Sequence, residues 1–230
     1  MRLYVAHCPI TCSERKPVLE QHLKDRGFDD VIWNTKYAVN HPFVVWLHKR
    51  LGQHLSPECI SGLVKKMEGL QHFVNDPTVT EALFCDDDVV FIRDWKTKFK
   101  TYPGIPFINA SVGVNFSILP DGELRQLNNN GGCEAVWMTK PFAQFILNNV
   151  DARGGLDHVY FGLVRHAGLP LLCSPVAQQT SLLHSKRGRL PNTGEYQPEL
   201  PWHEFVNSFK PTGLVYSELW NESGIARDDS

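Results

Sequence analysis

The chain has 230 residues, 42% of them apolar, 11% aromatic and 21% charged, enough to bury a sizeable core yet short for two full domains. Its 23 basic and 25 acidic residues leave a net charge of -2, which removes the electrostatic basis for a general nucleic-acid or anionic-membrane binder. The longest unbroken apolar run, Phe43 to Leu47, is far below the roughly 18 residues that a membrane span requires.

No transmembrane segment and no nucleic-acid partner are expected. The apolar stretch behind Met1-Arg2 is broken by His7 and Pro9 before it reaches signal-peptide length, which points to a cytoplasmic protein or a domain of a longer one. The cysteines at 8, 12, 59, 85, 133 and 173 form no CxxC pair and no zinc-like spacing, and read as buried free thiols.

Strand-like and helix-like patterns alternate along the chain, the order of an α/β fold. Leu3 to His7 is a short apolar strand, Pro9 to Ser13 a loop, and about Glu14 to Arg26 a helix ended by Gly27. Val31 to Trp33 reads as a second strand. From Asn34 to Leu55 the pattern conflicts, because Pro42 interrupts it while Val44, Leu47, His48 and Leu51 keep a helical spacing. Ser56 to Asn75 has the clearest helix start, with Ser56 as N-cap, Pro57 at the first helical position and Glu58 beside the positive end of the dipole. Its apolar stripe is Ile60, Leu63, Met67, Leu70 and Val74. Lys66 falls at the edge of that stripe and Lys65 nearly opposite, so Lys66 is expected to snorkel along a packed surface or to reach into a site.

Glu81 to Cys85 is a buried strand that runs into Asp86-Asp87-Asp88, after which Val89 to Ile92 resumes an extended pattern. Strands are expected at Pro106 to Asn109, Val112 to Leu119 and Glu134 to Met138. A helix capped by Thr139 follows, then a helix over about Leu156 to Ala167 closed by Gly168, then a strand around Leu171. Beyond Leu190, scattered prolines and aromatics predict an irregular tail packed by Trp202, Phe205, Phe209 and Trp220.

Three adjacent carboxylates at the end of a buried strand repel one another and call for a compensating charge. In extended geometry Asp86 and Asp88 face one side and Asp87 the other, so Asp86 and Asp88 can hold one hard, oxygen-preferring cation together with a diphosphate. The bland alternative is a solvated turn or helix cap. Ligands of open α/β sheets sit beyond the carboxyl ends of the strands, which makes the loop after the first strand, with Pro9, Thr11 and Arg15, a candidate nucleoside pocket. Trp137 and the loop at Gly131-Gly132 are candidates for a sugar platform, against the commoner outcome of a buried strand Trp.

The segment Ala82-Leu-Phe-Cys-Asp-Asp-Asp-Val-Val resembles the Ala-Leu-Val-Leu-Glu-Asp-Asp-Val segment of glycosyltransferase family 25, the lipooligosaccharide and procollagen galactosyltransferases. Ile10-Thr-Cys-Ser-Glu-Arg-Lys-Pro-Val-Leu resembles the family's N-terminal loop and helix, and Leu55-Ser-Pro-Glu-Cys-Ile-Ser-Gly-Leu its pre-acid helix start. Gly132-Cys-Glu-Ala-Val-Trp-Met-Thr-Lys and Leu156-Asp-His-Val-Tyr-Phe are similar to a later strand and helix start. The likeness spans about residues 5 to 185. It departs at Asp86, where the family has Glu, and around Lys65-Lys66, where the family has Ser-His. Small GT-A transferases that glycosylate capsid or surface polysaccharides fit equally well.

The resemblance implies an α/β, GT-A-like (Rossmann-like) nucleotide-diphospho-sugar transferase domain with a mixed central sheet over residues 1–190, and a tail over 191–230. It implies transfer of a hexose from a nucleotide sugar, UDP-linked, to a glycan or glycoconjugate acceptor, with Mn2+ (or Mg2+) as cofactor. His184 is the candidate late metal ligand beside Asp86 and Asp88. Asp157 is the candidate base of an inverting reaction, its bland reading being a helix-start acid. Pro9, Thr11, Arg15, Lys66, Asp86, Asp87, Gly132 and Lys186 are the expected substrate-binding residues. The same acids also suit a haloacid-dehalogenase-like phosphatase, a nucleotidyltransferase or a non-enzymatic sugar or calcium binder.

Overall fold

The computed structural model describes residues 1–10, 12–51, 55–111, 120–126, 133–150, 156–179 and 213–227, the side chains of 156–158 excepted. In chain order the elements are β1 (Arg2–Ala6), α1 (Arg15–Asp25), β2 (Val31–Asn34), α2 (Pro42–Arg50), α3 (Pro57–Asn75), β3 (Glu81–Asp86), β4 (Val89–Phe91), α4 (Trp95–Lys98) and β5 (Phe107–Ser111). They continue with β6 (Arg125–Gln126), β7 (Ala135–Thr139), α5 (Lys140–Asn148), α6 (Leu156–His166), β8 (Leu172–Gln179) and α7 (Tyr216–Ser223). The strands form one sheet in the order β2-β1-β3-β7-β5-β8-β4, with β6 also paired to β8. β2, β1 and β3 are parallel to one another, β7 is antiparallel to both its neighbours, and β5 and β8 are again parallel. The α/β class with a mixed central sheet is thus the one expected.

Period-two alternation along the strands sends side chains into two cores. Tyr4, Ala82, Phe84, Phe107, Val136 and Met138 pack under α2, α3, α5, α6 and α7. Leu3, Val5, Leu83, Cys85, Ile108, Ala135 and Trp137 pack on the other face with α1 and Trp95 of α4. Trp137 is therefore a core residue, 3% exposed, rather than a sugar platform.

Local signals account for the helix ends. The Ser56 hydroxyl accepts from the Cys59 amide at 3.3 Å. His41 caps α2 by accepting from the Phe43 amide at 3.2 Å, so that Pro42, which interrupts the helical spacing, instead takes the first turn, where its missing N–H costs nothing. Gly168 adopts φ 70° and closes α6, with the Leu169 amide donating back to the Val164 carbonyl at 3.0 Å.

Helix α3 is buried around more of its circumference than its apolar stripe implies. Lys65 and Lys66 are 2% and 6% exposed, Lys65 lying against the β2–α2 connection and Lys66 against the end of β3. The Lys65 ammonium donates to Ser61 Oγ at 2.7 Å, and that hydroxyl donates to the Tyr37 carbonyl at 2.6 Å. Tyr37 itself holds φ 63° in the left-handed region.

Within the segment expected to be an irregular tail, Tyr216–Ser223 is helical. Trp220 stacks on Phe43 with ring centroids 3.5 Å apart, and Arg50 Nε donates to Glu222 at 2.6 Å. Tertiary burial of one apolar face supplies the helix that the surrounding prolines obscure. The expected strand at Val112 to Leu119, and Trp202, Phe205 and Phe209, lie outside the described residues. Cys85, Cys133 and Cys173 are buried free thiols, whereas Cys8 and Cys12 are partly exposed and Cys59 is exposed. Among the described residues no helix is long and apolar enough to cross a membrane.

Candidate active site at the carboxyl ends of the parallel strands

Parallel pairing gathers the ends of β1, β2 and β3 at one edge of the sheet, with Ala6 opposite Asp86 in register. The residue after each, His7 and Asp87, therefore lie side by side on the α1 face. His7 Nδ1 and Asp87 Oδ2 are 2.7 Å apart, the Cys8 amide donates to the same oxygen at 3.2 Å, and Arg15 Nη1 donates to Asp87 Oδ1 at 2.5 Å. Burial alone would raise the Asp87 carboxyl, but the bonds from His7, Arg15 and Cys8 outweigh it and hold the group below the ordinary carboxylate value. Arg15 is in turn raised, its own burial being outweighed by the charge of Asp87.

Asp86 projects to the other face. The Lys66 ammonium, 7% exposed, donates to its Oδ2 at 2.8 Å. Lys66 thus reaches into the site instead of snorkelling. Asp86 keeps 34% of its side chain exposed, yet loss of hydration, opposed by Lys66 and reinforced by repulsion from Asp88, pushes its pKa up to about 7. The Asp86 amide donates to the Glu134 carbonyl at 2.9 Å. The Glu134 carboxylate, also buried, accepts from Ser111 Oγ at 3.0 Å.

The expectation that Asp86 and Asp88 share a face is corrected by the turn at Asp87 and Asp88, which joins β3 to β4 and ends the two-residue alternation. Asp88 leans instead toward Arg15 Nη1, 3.6 Å from its Oδ2, and the same oxygen accepts from Gln179 Nε2 at 3.0 Å. Its Oδ1 is buried and has no hydrogen-bond partner among the described residues, an arrangement that costs on the order of 1–3 kcal/mol unless a positive group meets it. Asp86 and Asp88 still repel each other. A cation reaching both carboxylates would relieve both conditions, and carboxylate oxygens suit a hard divalent ion. Asp86 and Asp88 are oxygen donors that could hold a hard divalent ion, and no cluster of three or more His, Cys, Asp and Glu ligands forms among the described residues.

Of the other expected site residues, Pro9 is exposed on the loop after β1, and Asp157 is the second residue of α6 with its side chain outside the description. Thr11, Gly132, His184 and Lys186 lie outside the described residues. His7, Glu134 and Gln179 were not singled out from sequence. His7 is the residue after β1, whose register with β3 was the signal. Glu134 immediately precedes β7, where Cys85 pairs with Ala135, so an acid opposite an acid was the signal there.

No family model matches the chain, and no curated protein matches it. Among solved structures it is similar to A197 from STIV, at 15% identity over 77% of this chain and 83% of that chain with a TM-score of 0.44. It is also similar to a glycosyltransferase involved in the glycosylation of the major capsid of PBCV-1, at 10% identity over 63% of this chain and 64% of that chain with a TM-score of 0.35. A third likeness is to a mutant Drosophila beta-1,4-galactosyltransferase 7 in complex with manganese, UDP-Gal and xylobiose, at 10% identity over 91% of this chain and 81% of that chain with a TM-score of 0.45. All three scores are below 0.5, and the activity is argued from this chain's own residues.

Proposed function

We propose that the protein is a metal-dependent glycosyltransferase that moves a hexose from a UDP-linked sugar to a glycan or glycoconjugate acceptor. The observation that carries this reading is Asp88 Oδ1, buried and without a hydrogen-bond partner among the described residues, next to Asp86 at the edge of the sheet where α/β folds bind nucleotides. The GT-A-like resemblance of the acidic segment agrees with it.

Asp86 and Asp88 would hold manganese or magnesium, with His184 as a third ligand, and the bound ion supplies positive charge to the departing diphosphate. Lys66, anchored on Asp86 at 2.8 Å, is a second cation at hand for phosphate oxygens, and Lys186 a third. Pro9 and Thr11 would border the nucleoside, and Gly132 the sugar. Asp157 takes the proton from the acceptor hydroxyl as it attacks the sugar from the side opposite the diphosphate, giving inversion.

A panel of nucleotide sugars, assayed by thermal shift with and without manganese and then by transfer to glycan acceptors, tests the reading. Manganese-dependent stabilisation by UDP sugars and a glycosylated product are expected. Release of phosphate from simple monoesters, with no sugar transfer, would point to a phosphatase instead. Asp157→Asn should keep donor affinity while cutting transfer by roughly 10²- to 10⁴-fold. A product that retains the donor's anomeric configuration by NMR, formed by a still active Asp157→Asn, removes Asp157 as the base.

A further inference from the structure

We propose that the middle acid of the triplet contacts no ligand, and that Asp87 with His7 and Arg15 is an internal brace whose task is to aim Asp88. The inference rests on the metal-dependent transferase reading, and assigns His7 and Arg15 as positioning residues.

The Asp87 side chain is 8% exposed, and both of its oxygens are engaged by protein donors. An ionised carboxylate only accepts, so the proton between it and His7 resides on Nδ1 of the imidazole. A ligand cation or sugar hydroxyl would have to displace one of these bonds from a buried site, leaving a charged partner unpaired.

The brace stands where strand pairing stops. Ala6 and Asp86 are the last paired residues of β1 and β3. The link from His7 to Asp87 carries that pairing one residue further, through side chains, to the start of the turn. Arg15, the first residue of α1, then connects the brace to Asp88. The nitrogen that donates to Asp87 Oδ1 at 2.5 Å is 3.6 Å from Asp88 Oδ2. Gln179, the last residue of β8, donates to the same Oδ2 at 3.0 Å. With Oδ2 held by one hydrogen bond from Gln179 and by the charge of Arg15 at 3.6 Å, Oδ1 is the oxygen left for a metal. Arg15 Nε is buried and has no hydrogen-bond partner among the described residues, and the guanidinium's contacts to the acids are made through Nη1. Such fixed aim lowers the cost of ordering a ligand when the ion arrives.

The experiment uses the intact chain with manganese alone, read by electron paramagnetic resonance, and with UDP in the presence and absence of manganese, read by calorimetry. His7→Phe removes the donor to Asp87, whereas His7→Asn keeps a side-chain N–H near the position of Nδ1. Arg15→Lys keeps the charge but removes the rigid guanidinium that sets Nη1 close to both Asp87 and Asp88. Expected is a weakening of manganese binding by about tenfold in His7→Phe and Arg15→Lys, with His7→Asn close to the unaltered protein. Metal-free UDP affinity should be the same in all of them and in Asp87→Asn. Circular dichroism identifies a variant that has not folded, and the remaining variant of the pair then decides.

Manganese affinity unchanged in a folded His7→Phe or Arg15→Lys overturns the brace. A loss of metal-free UDP binding in Asp87→Asn also overturns it, because Asp87 is then a ligand contact. Manganese binding that depends on His7, with no UDP binding by any form, overturns the transferase reading and leaves the brace standing.

Discussion

Asp86 and Asp87 are consecutive residues of one chemical type, and the sheet gives them opposite surroundings. On the α1 face Asp87 is enclosed by His7, Arg15 and the Cys8 amide, and its charge is stabilised. On the α3 face Asp86 meets Lys66 and a raised pKa of about 7. Asp88, beyond the last strand residue, has one oxygen bound and one with no hydrogen-bond partner among the described residues. Where an acidic run leaves a strand, alternation divides it into an acid that the protein consumes and acids that remain available to a ligand.

The sharpest way to break this contrast is to remove the enclosed acid. Asp87→Ala leaves Arg15 buried without its counter-charge and His7 without its hydrogen-bond partner, and a loss of about 3–5 kcal/mol in urea unfolding is expected. Asp88→Asn should do the reverse, keeping the fold while weakening manganese-dependent UDP binding by about 100-fold, or roughly 2.7 kcal/mol, in calorimetry. Lys66→Gln separates two effects of one cation. With the ammonium gone from Asp86, manganese alone should bind about tenfold more tightly, while UDP in the presence of manganese binds less tightly than to the unaltered chain.

The smallest effect concerns the other histidine of the α1 face. His22 Nε2 accepts from the Phe91 amide at 2.9 Å, and burial, with Arg26 nearby, lowers its pKa below the usual 6.5. The folded state therefore binds fewer protons than the unfolded one. Its stabilising contribution is present above pH 6.5 and is lost as pH falls through the lowered value. The slope is at most about 1.4 kcal/mol per pH unit, and His22→Gln should flatten this part of the stability profile in chemical denaturation.

Much of this contrast was legible in the sequence, and the rest depended on non-local geometry. The strand through Phe84, the cap at Ser56 and the acids at a strand end follow from composition and periodicity along a few residues. Lys65 could not be read correctly, because its wheel position gives the side of α3 but not that the connection through Tyr37 lies against it. The aim of Asp88 was misread because three aspartates specify no turn. His7 acquires its role only when β1 is paired with β3 in one register. Helix α7 was hidden for a related reason, its apolar face being explained by a partner more than a hundred residues away.

That distant partnership bears on how the chain is made. Phe43 and Val44 of α2 are fully covered in the finished molecule, and Tyr216 and Trp220 contribute to the cover on Phe43. During synthesis from the N-terminus, α2 and α3 are complete long before these aromatics emerge. Closing the loop between Phe43 and Trp220 delays this part of the core in proportion to a large entropic term. Through that interval the nascent chain carries a sticky aromatic surface, the kind of surface on which chaperones act and aggregation starts. The arrival of α7 thus ends the period in which this face of α2 is vulnerable.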